Sequence, residues 1–180
     1  RGIVRHRLVQ RPWGYLALYI NDQPVGRATS YLRIARTNAR TKISVQRVEY
    51  GRGYAWHGHE KRRYRGDIYV VVSGDAKLAV VNVAGAESIL AGVVPSELFS
   101  TAHPEALKAQ AVAARNILFS QLGQRHHTDP FHLCSAQHCQ VYGGRTKEQP
   151  TTTAAVKGTT GIVLFHGKTL VNTTYSSTCG

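Results

Sequence analysis

The sequence is poor in acidic residues, in sulfur and in long apolar runs. It contains no methionine, three cysteines, and ten aspartates and glutamates against 23 lysines and arginines. No apolar run approaches the roughly 18 residues that a membrane-spanning helix needs, so we predict no transmembrane segment. Without methionine and with arginine as its first residue, the chain reads as a fragment or a processed product whose export signal is not visible.

The charge balance favours polyanionic partners. A formal net charge of +13 suits nucleic acid and equally the anionic polymers of a bacterial wall. The basic residues are scattered through the first 65 positions, without an aromatic stacking motif or zinc-finger spacing, so we predict no specific nucleic-acid binding. Only 18% of the residues are charged and 42% are hydrophobic, so the 180-residue chain should fold, with one sizeable core.

The first half of the chain carries strand and hairpin signals. YLALYI runs into the Asn-Asp pair at 21–22, and KISVQRVEY runs into Gly51. IYVVV turns through the Ser-Gly-Asp sequence at 73–75 into KLAVVNV. Apolar alternation between turn residues predicts antiparallel β-structure up to about residue 83.

The second half has helical periodicity. AESILAGVV predicts a short helix that is cut by Pro95. Apolar residues recur at spacings of three and four after Pro104, and Gly123 can cap the end, which predicts a long helix over 104–122. Residues 151–158 predict a short helix, and GIVLFHGKTLVNTTY predicts a hairpin that turns at His166-Gly167.

These elements predict an α+β fold. An antiparallel, β-rich N-terminal part is expected to pack with a helical core that carries one long helix and a C-terminal β-hairpin. We divide the chain into a basic, β-rich N-terminal region at 1–63, which is an annex, and a main domain at 64–180.

Three charged residues near the long helix invite two interpretations. Glu97 lies in the predicted bend before the helix, whereas Lys108 and Arg115 are seven residues apart and share one face, roughly 10 Å apart along the axis. They could be an ordinary loop glutamate and a solvated helix edge. They could also be a general acid/base and two cations that bind an anionic or hydroxyl-rich substrate. Spacing does not decide between these interpretations.

A second group of residues could bind metal. His132, Cys134, His138 and Cys139 offer thiolate and imidazole ligands close enough in sequence to converge on tetrahedral zinc. A disulfide between the two cysteines, or between either of them and Cys179, is an alternative in an oxidising compartment. Free thiols and a Cys/His nucleophile dyad are further alternatives.

Several segments resemble one family together. GVVPSEL, HPEALKAQAVAAR, CSAQHCQVYGG and the terminal YSSTCG occur in order and resemble motifs of the SpoIID/LytB family, as does the strand-rich YRGDIYVVVSGDAKLAVVNV. The resemblance covers roughly residues 64–180. The terminal motif departs from the usual HSTSGG, with Ser176 in place of its histidine and Cys179 in place of its second serine. We expect the domain to continue beyond Gly180.

The resemblance implies roles for individual residues. Glu97 of PSEL matches the active glutamate, and Glu87 is expected to be a structural or supporting group. The residues expected to line or support a substrate cleft are Lys108, Gln110, Arg115, His138, Gln140, Tyr142, Tyr175 and Ser177. The implied chemistry requires no cofactor. Some family members bind zinc through the CSAQHC region, so a structural zinc is implied as one option for the Cys/His group.

The resemblance also implies a function. SpoIID-like members are lytic transglycosylases that cleave the bond between N-acetylmuramic acid and N-acetylglucosamine, prefer glycan strands already stripped of stem peptides, and leave anhydro-muramyl ends. LytB-like members are amidase enhancers, so a non-catalytic wall-binding enhancer is the alternative. The expected partners are peptidoglycan glycan strands, a cell-wall amidase and anionic wall polymers. The expected location is outside the cytoplasm, after export.

Overall fold

The computed structural model describes residues 6–10, 16–20, 23–28, 31–35, 38, 42–73 and 77–176. Within these ranges the strands are β1 (His6–Gln10), β2 (Leu16–Ile20), β3 (Gln23–Ala28), β4 (Tyr31–Ile34), β5 (Ile43–Tyr50), β6 (Gly58–Tyr64), β7 (Asp67–Val72), β8 (Leu78–Val83), β9 (Phe165–His166) and β10 (Thr169–Leu170). The helices are α1 (Ala86–Glu97), α2 (Pro104–Ser120), a 3₁₀ helix (Gly144–Thr146) and α3 (Pro150–Gly158).

The described strands form four antiparallel sheets. Their orders are β1-β2-β3, β4-β7-β8, β5-β6 and β9-β10. The predicted hairpins β2–β3, β5–β6 and β7–β8 are all present, although the turn residues at 21–22 and 74–76 lie outside the described residues. The predicted end of the β-rich half near residue 83 is confirmed, because β8 ends at Val83.

Helix α1 is longer than predicted. Pro95 does not end it, and the helix continues to Glu97 with Pro95 inside its last turn. A proline so near the end removes one backbone hydrogen bond. Leu90, Val93 and Val94 are at most 2% exposed, and their burial outweighs that loss. Glu97 is therefore the last residue of a helix, not a residue of a free bend.

Helix α2 confirms the most regular sequence pattern. It begins at Pro104, where His103 accepts a hydrogen bond from the Glu105 backbone N–H, and it ends at Ser120, two residues earlier than predicted. Gly123 adopts a φ of 72°, as expected for the residue that reverses the chain after a helix.

The helices build the core of the second half. The buried cluster joins Leu90, Val93 and Val94 of α1 to Ala111, Ala114 and Leu118 of α2 and Val156 of α3. Helix α3 confirms the predicted short helix at 151–158. The predicted C-terminal hairpin is also present, although its turn lies at Gly167 and Lys168, one residue later than expected.

The structure is thus a mixed α+β fold, as predicted. The division of the chain at 63/64 stays a prediction. Among the described helices, none has the length and apolar character needed to cross a lipid bilayer.

Candidate active site

Glu97 is held at the end of α1 by the segment that precedes the 3₁₀ helix. The Val141 backbone N–H donates a hydrogen bond of 2.6 Å to Glu97 Oε1. This contact fixes the orientation of the carboxyl group and leaves its second oxygen, Oε2, without a hydrogen bond among the described residues. The glutamate side chain is half-buried, so it is shielded from bulk water on part of its surface.

A tyrosine and two glutamines lie beside Glu97. The Tyr175 hydroxyl donates to Gln140 Oε1 at 3.1 Å, and Gln140 Nε2 donates to the Ala114 carbonyl of α2 at 3.3 Å. Burial, followed by the neighbouring Glu97 carboxylate and opposed by Gln110, raises the pKa of Tyr175. The Gln110 side chain lies next to the Tyr175 hydroxyl, and its Nε2 atom is enclosed by the protein. The structure therefore brings together four of the residues predicted to form the site.

Glu97 differs from the other described carboxylates. Seven of them have a basic group within 4.0 Å; these are Glu49, Glu60, Asp67, Glu87, Glu105, Asp129 and Glu148. In the described part of the chain, no such ion pair involves Glu97. In a chain with an excess of cations, Glu97 is thus the one described carboxylate outside an ion pair.

The structure corrects the predicted role of Arg115. The residue is 0% exposed, and its guanidinium forms two hydrogen bonds with Glu87, Nε to Oε1 at 2.9 Å and Nη2 to Oε2 at 2.8 Å. It also donates to the carbonyls of Ile162 and Val156. A substrate cannot reach a group that is enclosed and fully bonded in this way. Arg115 is therefore a structural residue, and Glu87 has the supporting role that was expected of it.

Lys108 remains accessible but is paired. Its Nζ donates to Glu105 Oε1 at 2.7 Å, three residues away on α2, and the side chain is 45% exposed. The pair of cations on one face, predicted from the seven-residue spacing, thus separates into one buried and one exposed residue.

Tyr142 supports the site from behind. Its hydroxyl donates to Asn82 Oδ1 at 2.7 Å, and its ring packs over Gly92 of α1, where a Cβ atom would lie 2.7 Å from Tyr142 Cε2. The Gly143 backbone N–H also donates to the Gly92 carbonyl at 3.3 Å. Segment 141–144 therefore packs against α1, and this places the Val141 N–H next to Glu97. Ser177, the remaining predicted cleft residue, lies outside the described residues.

Buried tyrosines should make the fold sensitive to alkali. Burial raises the pKa of Tyr64, Tyr142 and Tyr175. A raised pKa means that the fold stabilises the neutral hydroxyl, so this stability is complete below the unfolded value of about 10 and is lost as the pH rises through the folded values. We expect the free energy of unfolding, measured with urea, to fall above about pH 10 by up to ~1.4 kcal/mol per pH unit for each such tyrosine.

The Tyr142→Phe variant tests this alkaline dependence. It should show a shallower fall in the free energy of unfolding than the parent protein. Tyr31→Phe, which removes an exposed hydroxyl, serves as the control. A Tyr142→Phe protein with the same alkaline slope as the parent would contradict the assignment.

The cysteines and two histidines converge next to this segment. His126, Cys134, His138 and Cys139 each offer one ligand atom, and these atoms lie within 4.8 Å of one another. The distances from Cys139 Sγ are 3.4 Å to His126 Nε2 and 3.6 Å to His138 Nδ1. Cys134 Sγ lies 3.8 Å from His138 Nδ1. Tetrahedral zinc with ordinary Zn–S and Zn–N bonds separates sulfur from nitrogen by about 3.5 Å, so the donor set fits zinc.

The fourth member of this cluster differs from the prediction. His132 is exposed and is not among the four, whereas His126, which adopts a φ of 56°, turns inward. His126 Nδ1 pairs with Asp129 Oδ2 at 2.8 Å, which leaves Nε2 directed at Cys139. A carboxylate on the outer nitrogen is the usual support for a metal-binding histidine. Cys134 and Cys139 are free thiols here, and Cys179 lies outside the described residues.

Sequence reasoning missed several residues of the site. Val141 contributes only its backbone N–H, which every residue except proline has, so its role cannot be predicted from residue type. Gly92 matters because its lack of a side chain allows Tyr142 and Gly144 to lie close to α1. His126 and Asp129 carried a weak signal, a histidine and a carboxylate three residues apart just before the cysteine segment. The sequence also carried a weak signal for the pairing of Glu87 with Arg115. The chain has only ten acidic residues, so few of them could pair with an arginine on the buried face of α2.

Comparisons with known proteins identify a family and two relatives. A family model described as SpoIID, Stage II sporulation protein, matches residues 74–166. An uncharacterized protein of Brachyspira hyodysenteriae is 33% identical over 129 residues, which cover 71% of this chain and 34% of that protein. A Bacillus subtilis protein named amidase enhancer is 38% identical over 91 residues, 51% of this chain and 12% of that protein. No solved structure matches.

The chain thus spans about a third of one of these relatives and about an eighth of the other. The segment matched by the family model includes Glu97, helix α2 and the Cys/His cluster. The match also covers more than half of the chain, which confirms the resemblance seen in the motifs. The chain belongs to the SpoIID family.

Proposed function

We propose that the chain is the catalytic region of a peptidoglycan lytic transglycosylase. Glu97 is its only catalytic carboxylate and cleaves the bond between N-acetylmuramic acid and N-acetylglucosamine. The observation that carries this proposal is the environment of Glu97, the one described carboxylate without an ion-pair partner. Family membership supports a role at the cell wall, and the name of the Bacillus subtilis relative supports an association with an amidase.

A single carboxyl group suffices for this reaction. Glycosidases commonly use two carboxylates because one protonates the leaving oxygen while the other acts as a nucleophile or activates water. In a transglycosylase the attacking group is the C6 hydroxyl of the same muramic acid, so proximity replaces the second catalyst. Glu97 donates its proton to the bridging oxygen, and the resulting carboxylate accepts the proton of the C6 hydroxyl as the 1,6-anhydro ring closes.

The surroundings of Glu97 suit both steps. The reaction begins with a protonated carboxyl group, and a neighbouring cation disfavours the protonated form. Lys108 pairs with Glu105 and Arg115 pairs with Glu87, so neither cation forms an ion pair with Glu97. The Val141 N–H binds one oxygen and leaves the other for the substrate. The Tyr175 hydroxyl donates its proton to Gln140, and its oxygen can accept a hydrogen bond from a sugar hydroxyl beside Glu97.

Lys108 is the cation that remains for substrate binding. Its ammonium group is accessible, and its pairing with exposed Glu105 is of the kind that contributes little stability. A muramic acid carries a free lactyl carboxylate only when its stem peptide has been removed. A cation in the cleft would therefore favour denuded strands.

The products of digestion test the proposed reaction. The protein is incubated separately with denuded and intact peptidoglycan, and the fragments are analysed by mass. We expect fragments that lack one water molecule relative to hydrolytic products, and more of them from denuded strands. Fragments without this mass loss would indicate a hydrolase.

A non-catalytic amidase enhancer is the second candidate, favoured by the name of one relative. It predicts glycan binding without any product, together with a higher rate of an added cell-wall amidase. Either function places the protein outside the cytoplasm, at the wall.

We further propose that His126, Cys134, His138 and Cys139 bind a structural zinc ion. The ion would crosslink the loop before segment 141–144 and would supply no reaction chemistry. His126→Ala should lower zinc affinity at least 10-fold, because each ligand contributes strongly to a four-coordinate site. His132→Ala is the matched control, since His132 is exposed and lies in the same loop.

The measurement is the zinc content of protein purified without added metal, followed by competition with a chelator. Equal zinc retention by the two histidine variants would contradict the assignment of His126. Wild-type protein that folds with no bound zinc would contradict the site itself.

A further inference from the structure

The β5–β6 hairpin carries two exposed aromatic rings at its tip. The rings of Tyr54 and Trp56 stack with centroids 4.5 Å apart and planes inclined by 16°. They remain 48% and 57% exposed. Scattered exposed apolar residues are ordinary, whereas paired aromatic rings in water are typical of binding surfaces.

The tip is built around these rings. The Tyr54 N–H donates to the Gly51 carbonyl and the His57 N–H donates to the Tyr54 carbonyl, each at 3.0 Å. Gly51 adopts a φ of 63°, and a Cβ atom there would lie 2.6 Å from Trp56 Cδ1, so the indole packs directly on the backbone. Rings that are already positioned lose little conformational freedom when they bind a ligand.

The hairpin as a whole carries a net positive charge. Residues 43–64 contain five lysines and arginines and two glutamates. Both glutamates have partners within the hairpin: Glu49 Oε1 lies 2.9 Å from His57 Nε2 and 3.9 Å from Arg52 Nε, and Glu60 pairs with Arg62 at 2.6 Å. Lys61 and Arg63 stay exposed. The surface therefore suits a ligand that combines apolar faces with carboxylates.

The base of the hairpin is fastened to the candidate active site. Arg62 is 4% exposed and donates from Nη1 to the Tyr142 carbonyl at 2.9 Å, and the Arg63 N–H donates to Thr146 Oγ1 at 2.7 Å. Val141, the neighbour of Tyr142, holds Glu97. Arg62 lies six positions after Trp56, which is up to about 20 Å along an extended strand. A ligand that contacts both places must be a long chain.

We propose that Tyr54 and Trp56 form a remote glycan-binding subsite. The C–H face of a pyranose ring stacks on the exposed aromatic surface, since that surface is electron-rich and the C–H bonds are weakly positive. Exposed cations nearby pair with carboxylates of the same strand. A lipid surface fits less well, because inserting the tip would strip water from the exposed charged groups of Glu49 and Arg52. The choice of glycan as ligand rests on the proposed function.

Binding measurements on a single-tryptophan protein test the subsite. Trp13→Phe leaves Trp56 as the only tryptophan, and Glu97→Gln prevents consumption of the strands. Denuded glycan strands of increasing length are added while the fluorescence of Trp56 is followed. We expect the signal to change only with strands of several disaccharides. In the protein with both native tryptophans, Trp56→Ala should weaken binding of long strands roughly 10-fold, without affecting short oligosaccharides.

Tyr31→Ala is the matched control, because it removes an equally exposed aromatic ring from β4. Long-strand affinity that is the same in Trp56→Ala and in the parent would overturn the subsite. So would a Trp56 signal that responds to vesicles of anionic phospholipid and not to glycan.

The experiments can refute the proposed subsite and the proposed lytic activity independently of each other. Strands that bind through Trp56 but yield no anhydro ends with native Glu97 would support the subsite and refute the lytic activity. Cleavage that is equally fast for long strands with and without Trp56 would refute the subsite and support the activity.

Discussion

Glu97→Gln should abolish release of anhydro-muramyl fragments while leaving the fold intact. A positioned general acid/base contributes about 10²–10⁴-fold to a rate, and here the same group is asked to act in both steps, so we expect a loss near the upper end. Glutamine keeps the side-chain length, and its Oε1 still accepts the hydrogen bond from the Val141 N–H. The substitution therefore removes the transferable proton with little change of structure.

The measurement is the initial rate of anhydro-product formation from denuded peptidoglycan, with thermal unfolding as the check on folding. Glu105→Gln is a suitable control because it changes an exposed glutamate at the start of α2. A Glu97→Gln protein that releases anhydro fragments at more than a few per cent of the parent rate would refute Glu97 as the acid. Loss of activity in both variants would indicate a general effect of charge.

Arg115→Met should destabilise the protein by about 3–5 kcal/mol, the usual cost of breaking a buried ion pair by removing one partner. The substitution leaves the Glu87 carboxylate without its cation and deprives the Ile162 and Val156 carbonyls of a donor. For a chain of this length, such a loss lowers the melting temperature by about 6 °C or more. Methionine fills much of the same volume, so the effect reports on the polar contacts.

Lys108→Met is the matched control on the same helix. Its ion pair with Glu105 is exposed, and its loss should leave the free energy of unfolding almost unchanged. The two variants also separate stability from binding. A substrate-binding role for Arg115 would predict a raised KM with unchanged melting temperature, and that result would contradict the structural assignment made here.

Local patterns in the sequence were sufficient for most of the fold. The hairpins and α2 follow from residue alternation and helical spacing, which act over a few neighbours. Pro95 was misleading because a local rule placed the helix end there, whereas burial of Val93 and Val94 against α2 and α3 keeps the chain helical to Glu97. The packing that decides where α1 ends therefore involves residues of α2 and α3, which lie far from Pro95 in the sequence.

The candidate site was predicted less completely for the same reason. Lys108 and Arg115 have equivalent positions in the helical repeat. Arg115 is buried because its guanidinium contacts Glu87 and the carbonyls of Val156 and Ile162, which lie far from it in the sequence. His126 and His132 are alternative ligands by spacing. The choice between them depends on the left-handed backbone at His126 and on its contact with Asp129. Residue types in the sequence indicated which kinds of group the site contains, whereas contacts between distant segments determine which individual residues take part.

The close approach at Gly92 bears on how variants of this protein are interpreted. Any side chain there would push Tyr142 and Gly144 away from α1, and with them the backbone amide that aims the Glu97 carboxyl group. In a screen scored by activity alone, position 92 would behave like a catalytic residue although it touches no substrate. Inactive variants of this region therefore separate into two classes, which a melting curve distinguishes and a turnover assay does not.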